Sequence, residues 1–334
     1  GVVNVFSSML FGGISGSAIA DISALGSILI PVMKEKGYDD DYAVNVTVTS
    51  SLAGIIIPPS HNMIIYAIAA GGGISVSKLF LAGFIPGVLM CLCLAAVSYI
   101  VAVKRGYASE AFPGVVILVK NFITALPGLM TAIIIVGGVL SGIFTVTESG
   151  AFGAIYAFLV TIIVYRAMPW EKFKLAVTNS VRTTSMVMIL IACTGAFAYL
   201  LTFYQVPTKM SLFLTRISDN PVVILLMINL MLLLLGMIMD MAALILICTP
   251  IFLPIAISIG VDPYQFGMIL LMNLGLGLCT PPVGSCLFVG CAVGGVRLED
   301  AVKTIWPFYL AILIALMLVT FIPAISLTLP NLLG

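Results

Sequence analysis

Two stretches of the chain, about 220 residues apart, carry the same punctuation. In the first, Asp21-Ile22-Ser23-Ala24-Leu25 leads to Pro31, then to Gly37-Tyr38-Asp39, Gly54, Pro58-Pro59 and Pro86. In the second, Asp240-Met241-Ala242-Ala243-Leu244 leads to Pro250, then to Gly260-Val261-Asp262, Gly277, Pro281-Pro282 and Pro307. The Asp-to-Pro step is ten residues in both (31 − 21 and 250 − 240), and the Gly-to-Pro step is 21 in both (58 − 37 and 281 − 260). Internal repeats built around broken apolar helices are the signature of secondary transporters.

Composition fixes the solvent. With 62% hydrophobic and 8% charged residues, the chain lacks the charge a soluble surface needs, so it reads as an all-α polytopic membrane protein. The short alternating segments of a membrane barrel are missing. A net charge of +1 gives no case for nucleic acid. The seven cysteines sit in apolar runs without zinc-like spacing and read as small buried hydrophobes. The first residue, Gly1, enters an apolar run with no basic n-region, which excludes a signal peptide and leads us to expect further residues upstream.

A crossing helix needs about 20 apolar residues. Segments 79–103, 127–144, 149–167 and 183–204 qualify as ordinary spans. Residues 1–33, interrupted at Gly12-Gly13-Ile14-Ser15-Gly16-Ser17, and 221–258, interrupted from Gly236 to Asp240, have halves too short to cross. Each is expected to be a re-entrant hairpin with a polar tip. Residues 42–70 and 263–293 are crossing helices broken at Pro-Pro. The odd number of crossings between the copies makes them inverted repeats. Eleven Lys and Arg then fall on the side where the first hairpin starts and three on the other, which makes the first side cytoplasmic and the C-terminus periplasmic. The amphipathic stretches 109–126 and 169–182 are expected along the cytoplasmic interface. The boundaries are 1–77 and 221–296 for the repeats, 78–220 for scaffold spans and arms, and 297–334 for a C-terminal arm and span.

Asp21 and Asp240 are acids in apolar surroundings, which can be functional, cap the second hairpin helix, or do both. Ser15, Gly16 and Ser17 at the first tip offer hydroxyl and backbone oxygens. Ile57, Pro58, Pro59 and Ser60 at one break, and Thr280, Pro281, Pro282, Val283 and Gly284 at the other, offer freed carbonyls. Such oxygen sets suit Na⁺ without histidine or cysteine, whereas a plain proline kink would need no ligand. His61, the single histidine, is a proton carrier or a hydrogen-bonding wall residue, and Asn62 suits a polar substrate. Glu148 reads as a helix-start acid. Gly13-Ile14-Ser15-Gly16 also fits the G-x-S-G of intramembrane serine proteases, with His61 completing a dyad, but this leaves the second copy unexplained. No filter motif supports a channel, and no G-x-x-x-x-G-K-[ST] run supports a nucleotide.

The run Gly12–Asp21, with Ile57-Pro58-Pro59-Ser60, Phe84-Ile85-Pro86-Gly87 and Cys279-Thr280-Pro281-Pro282-Val283-Gly284, resembles the large membrane subunit of tripartite ATP-independent periplasmic (TRAP) transporters over essentially the whole chain. The resemblance implies an elevator-type ion-transporter fold in the bacterial inner membrane. It implies Na⁺-driven uptake of an organic acid such as sialic acid, another sugar acid or a C4-dicarboxylate, with the His61-Asn62 pair favouring sialic acid. It also implies a small membrane subunit and a periplasmic binding protein as partners. On this likeness Ser15, Gly16 and Ser17 with Ile57 and Pro58 form one Na⁺ site. Met239 and Asp240 with Thr280, Pro281 and Gly284 form a second. The substrate lies between the tips, near Ser15, Ser17, Asp21, Ser60, His61, Asn62 and Asp240.

Overall fold

The computed structural model describes residues 1–107 and 114–333; among them every regular element is helical. They form two compact units.

The first unit opens with α1 (Val2–Ser15), a tip at Gly16 and Ser17, the short α2 (Ala18–Asp21), one π-helical turn (Ile22–Gly26) and α3 (Ser27–Glu35). Asn4 Nδ2 donates to Met33 Sδ at 3.5 Å, so the start of α1 meets the end of α3 and the segment is a hairpin. At 14 residues, α1 is about 21 Å long, short of a ~30 Å hydrocarbon core. A broken helix follows: α4 (Asp40–Ser50), α5 (Ala53–Ile56), a non-helical Ile57–Ser60 and α6 (His61–Ala69), with a 50° bend across the break. Then comes α7 (Val76–Lys104), 29 residues with Pro86 inside it.

The second unit holds α8 (Val115–Leu140), α9 (Val146–Ile163) and most of α10 (Trp170–Phe203). Glu148 and Thr145 form a reciprocal capping box, with Thr145 N–H donating to Glu148 Oε2 at 2.8 Å and Glu148 N–H to Thr145 Oγ1 at 3.3 Å. The hydroxyl of Ser149 donates to Ile135 O at 2.6 Å and ties α9 to α8.

The first unit resumes with α11 (Val206–Ile217) and a second pair, α12 (Pro221–Gly236) and α13 (Met241–Ser258), joined by Met237–Asp240. A second broken helix runs through α14 (Pro263–Leu278), Cys279–Gly284 and α15 (Ser285–Gly294). Both Pro-Pro peptide bonds, at Pro58-Pro59 and Pro281-Pro282, are cis. The C-terminal stretch is α16 (Leu298–Thr304), α17 (Trp306–Phe321) and α18 (Pro323–Leu333), and both α17 and α18 pack on α7.

Side chains brace the ends of the broken helices against the first hairpin and against each other. Lys34 Nζ donates to Gly294 O at the end of α15 (2.6 Å) and pairs with Asp40 (2.9 Å). At the opposite end the Tyr66 hydroxyl donates to Pro263 O at 2.6 Å. Gly294 O, at the C-terminus of α15, would otherwise lack a partner in lipid.

Four expectations change. The stretch 109–126 lies outside the described residues over 109–113, and from Val115 it is continuous with the span instead of a separate arm. Pro127 does not interrupt α8, as membrane helices tolerate proline. The stretch 169–182 is likewise the first part of α10, whose 34 residues reach about 51 Å, longer than the hydrocarbon core. Helix α13, at 18 residues, is also long and apolar enough to cross, so it is not a half too short. The last change is the repeat register. Ser17 and Asp240 are the N-caps that follow the tips, Gly37 and Gly260 have left-handed φ of 79° and 87°, and Asp39 and Asp262 are the next N-caps. All three pairs stand 223 residues apart (240 − 17, 260 − 37, 262 − 39), as do Pro58 and Pro281. The turn bonds also match, Tyr38 N–H to Met33 O at 3.1 Å and Val261 N–H to Ala256 O at 2.9 Å. One offset therefore runs through the block without a gap. Asp240 is the counterpart of Ser17, Pro254 that of Pro31, and Asp21 faces a leucine, Leu244, in the other copy.

Candidate functional site

The first tip sits on the first break. Gly16 takes a left-handed φ of 63°, and its carbonyl lies 2.7 Å from Nδ1 of His61, the first residue of α6. A Cβ on Gly16 would come within 2.9 Å of Pro59 O, so glycine is required by contact as well as by backbone. The Ser15 hydroxyl donates to Asp21 Oδ1, and Ser17 N–H donates back to Ser15 Oγ at 3.3 Å. Asp21 is 1% exposed, and its other oxygen, Oδ2, has no hydrogen-bond partner among the described residues. It faces Gly54, on which a Cβ would lie 2.8 Å from Asp21 Oδ2 and 3.3 Å from Ser15 Oγ. Ser60 caps α6 by position only, and its buried hydroxyl also lacks a partner among the described residues. The site thus gathers Ser15, Gly16, Ser17 and Asp21 from the hairpin with Gly54, Pro59, Ser60 and His61 from the broken helix.

The second tip sits on the second break in the same manner. Val283 N–H donates to Met237 O at 3.1 Å, and a Cβ on Gly277 would strike the backbone of Gly236 at 2.5 Å. Thr280 returns its hydroxyl to Leu276 O at 2.7 Å. Gly284, at φ 44°, caps α15 with no side chain, and Ser285 Oγ beyond it has no partner among the described residues. The outward face differs: Met239, Asp240, Pro282 and Val283 are exposed, whereas Gly16 and Asp21 are buried.

Asp240 is the N-cap of α13, accepting from Ala242 N–H at 2.9 Å, which is the capping geometry expected for it. Asp21 caps nothing and is held by Ser15. Helix α13, which Asp240 caps, packs on α6, which begins at His61. Asn62 is buried one residue into α6, while His61 is exposed. Ser15 and His61 do not form a dyad: the Ser15 hydroxyl points to Asp21 and the imidazole to Gly16 O.

Sequence reasoning passed over several residues. Gly54 and Gly277 served only as landmarks, yet they are where hairpin and broken helix approach most closely. Polar pairs stitch the same interfaces: Asn4 Nδ2 to Thr47 Oγ1 at 2.7 Å, Ser8 to Ser50 at 2.9 Å, and Asn273 to Asn229. Ser50 and Asn273 are again 223 apart (273 − 50). The available signal was polar residues one turn apart within apolar runs.

The family model described as the DctM component of tripartite ATP-independent periplasmic transporters matches residues 1–325. The chain is 40% identical to the C4-dicarboxylate TRAP transporter large permease protein of Pseudomonas aeruginosa, covering 100% of this chain and 78% of that one. It is 36% identical to the sialic acid TRAP transporter large permease protein of Vibrio cholerae (99% and 77% covered), and 40% identical to an uncharacterized protein of Salmonella typhimurium (98% and 75%).

Proposed function

The chain belongs to the DctM family, the large permease subunits of TRAP transporters, and from that premise we propose that it is a sodium-coupled elevator for an organic acid. It is a transporter subunit and not an enzyme, and permeases of this kind work with a small membrane subunit and a periplasmic binding protein. The observation that carries the sodium reading is the twice-built contact of a hairpin tip with an unwound break, lined by oxygen donors and orphaned buried oxygens. The first cation takes Ser15, Gly16 and Ser17 with the backbone at Ile57 and Pro58, compensated by Asp21 close by. The second takes Met239 and Asp240 with Thr280, Pro281 and Gly284.

Between them, the N-termini of α6 and α15 carry no side-chain cap, so their positive ends are free for a carboxylate beside Ser60, His61 and Asn62. The relatives' names point to a sialic acid or a C4-dicarboxylate as cargo. Both hairpins and both broken helices move as one block. Helix α7 moves with them, because Tyr42 donates to Ser98 O at 2.8 Å and Arg105 grips Asp41 with two bonds of 2.9 Å. On this reading Val76–Lys104 belongs to the moving block and the scaffold expected over 78–220 begins after it. Lys34, Arg105 and Gly294 lie together at one end of the block, the end that the lysine and arginine count makes cytoplasmic. Two Na⁺ with a monoanion move one net charge, worth about 2.3 kcal/mol per 100 mV, or roughly 40- to 50-fold accumulation.

The test is uptake into proteoliposomes containing the small subunit and supplied with the binding protein, with external Na⁺ varied. Sigmoidal Na⁺ dependence that weakens in Ser15→Ala and in Asp240→Ala is the expected result. Uptake that ignores Na⁺, or follows a proton gradient alone, rejects the sodium reading.

A further inference from the structure

Below the first tip, the seam between α1 and the broken helix carries a series of polar contacts. Starting from Ser15 and Asp21, it passes the close approach of Gly12 to Gly54, where a Cβ on Gly12 would lie 2.7 Å from Gly54 N. One turn lower Ser8 meets Ser50 at 2.9 Å, and one turn lower again Asn4 meets Thr47 at 2.7 Å. The file ends at the buried Tyr42 hydroxyl, 2.8 Å from Ser98 Oγ, next to Asp41 and Arg105. Its rungs on α1 are four residues apart, about 6 Å. Asn4, Ser8, Thr47 and Ser50 are each at most 2% exposed. Two of its oxygens, Asp21 Oδ2 at the top and Asn4 Oδ1 near the base, are buried and unpartnered among the described residues. The corresponding seam between α12 and α14 keeps the glycine contact and one polar pair, Asn229 with Asn273, and there Asn273 Oδ1 is likewise buried and unpartnered among the described residues.

We propose that the first seam is the exit route of the coupling cation from the first tip to the base of the hairpin, with these oxygens as successive ligands. The proposal rests on the sodium reading above. Polar pairs also glue membrane helices together. Glue alone accounts for paired side chains, but it supplies no reason for two polar pairs one turn apart, with an unpartnered acceptor at either end, in one seam where the other copy has a single pair.

The experiment loads the purified complex of this chain and its small subunit with radioactive Na⁺, then dilutes it into excess unlabelled Na⁺. In Ser8→Ala/Ser50→Ala, equilibrium Na⁺ binding is expected to stay at the wild-type level while release slows about tenfold, equivalent to about 1.4 kcal/mol on the barrier. Thr47→Val, which removes one hydroxyl at constant volume, is the second variant should the pair fail to fold. Asn229→Ala, on the other seam, should lower thermal stability and leave release unchanged. Wild-type release rates in the two hydroxyl-deleted proteins, whatever their thermal stability, overturn the route while leaving the sodium reading intact. No Na⁺ binding by the wild-type complex overturns both.

Discussion

Gly277→Ala is the sharpest probe of the contact between tip and break. A Cβ at Gly277 would sit 2.5, 2.6 and 2.8 Å from the carbonyl carbon, Cα and oxygen of Gly236. Carbon atoms pack at about 3.5–4.0 Å, so the end of α12 must retreat by roughly 1 Å. The obstacle is backbone and no rotamer change relieves it. Overpacking of this kind costs about 1–3 kcal/mol. The retreat also stretches the 3.1 Å bond from Val283 N–H to Met237 O, worth about 1 kcal/mol. Replacing a helical glycine by alanine returns up to about 1 kcal/mol. The net loss of about 1–3 kcal/mol falls on the geometry of the second tip, so half-saturation by Na⁺ should rise roughly 5- to 150-fold. Gly275→Ala, two residues earlier in the same helix, is the control: its nearest neighbours would be Leu52 and Ile55 at 3.6 and 3.7 Å, ordinary contact. Na⁺-dependent uptake in proteoliposomes, measured beside thermal unfolding of the same preparations, separates the two. Wild-type Na⁺ dependence in Gly277→Ala, or equal damage from both substitutions, would refute the argument that this backbone contact sets the site.

Two further outcomes follow from the second seam and from the C-terminal end of α7. Asn273→Leu alone leaves the buried Asn229 Oδ1 without its donor and should destabilise by about 1–3 kcal/mol, whereas the double replacement with Asn229→Leu should recover part of that loss in a thermal-unfolding cycle; additive losses would show that the two amides act independently. At the end of α7, burial and then the 2.7 Å bond to Asp39 push the Tyr107 phenol up to about 12. An unfolded tyrosine titrates near pH 10, so the folded state binds more protons between about pH 10 and 12, and stability should fall with rising pH there. Tyr107→Phe should remove a phenolate signal near pH 12 from the ultraviolet titration and flatten that slope; an unchanged titration would place the hydroxyl in water.

The helices and their breaks were legible because their causes are local. Proline pairs unwind the broken helices at Ile57–Ser60 and Cys279–Gly284, and Gly37 and Gly260 end the hairpin helices in left-handed turns. The register was misread for a physical reason. A search by residue identity pairs Asp21 with Asp240 because both are acids ten residues before a proline, and α13 offers two prolines, Pro250 and Pro254. The fold equates helix caps, and serine and aspartate both serve at that position, so Ser17 and Asp240 correspond. The arms at 169–182 merged into α10 because no breaker stands between an amphipathic start and an apolar span. The polar seam stayed hidden because Asn4, Ser8, Thr47 and Ser50 look like scattered tolerable polar residues until two helices are placed face to face.

The matched register also shows where the two copies part. From cap to left-handed glycine, both second arms have the same residue count, yet the first spends five of them on a π-helical turn and the second winds as a regular helix. A π turn packs more residues into each revolution, which turns the residues before it relative to those after it. That turn begins directly after Asp21, where the other copy has Leu244 in a regular helix, and Asp21 is the residue directed at Ser15 and Gly54. The consequence is electrostatic. The first copy carries a buried acid beside its tip, where a cation would be compensated in a low dielectric. The second carries an exposed acid already engaged with a helix N-terminus, which cancels part of that positive end and leaves the carboxylate accessible to water. Two cations bound at such tips would differ in how tightly each is held, and the more exposed second site is the one that would exchange first. Selective loss of the weaker Na⁺ phase in Asp240→Ala, with the tighter phase lost in Ser15→Ala, is the pattern this asymmetry requires; equal shifts of both phases in either variant would show the tips to be equivalent despite their different winding.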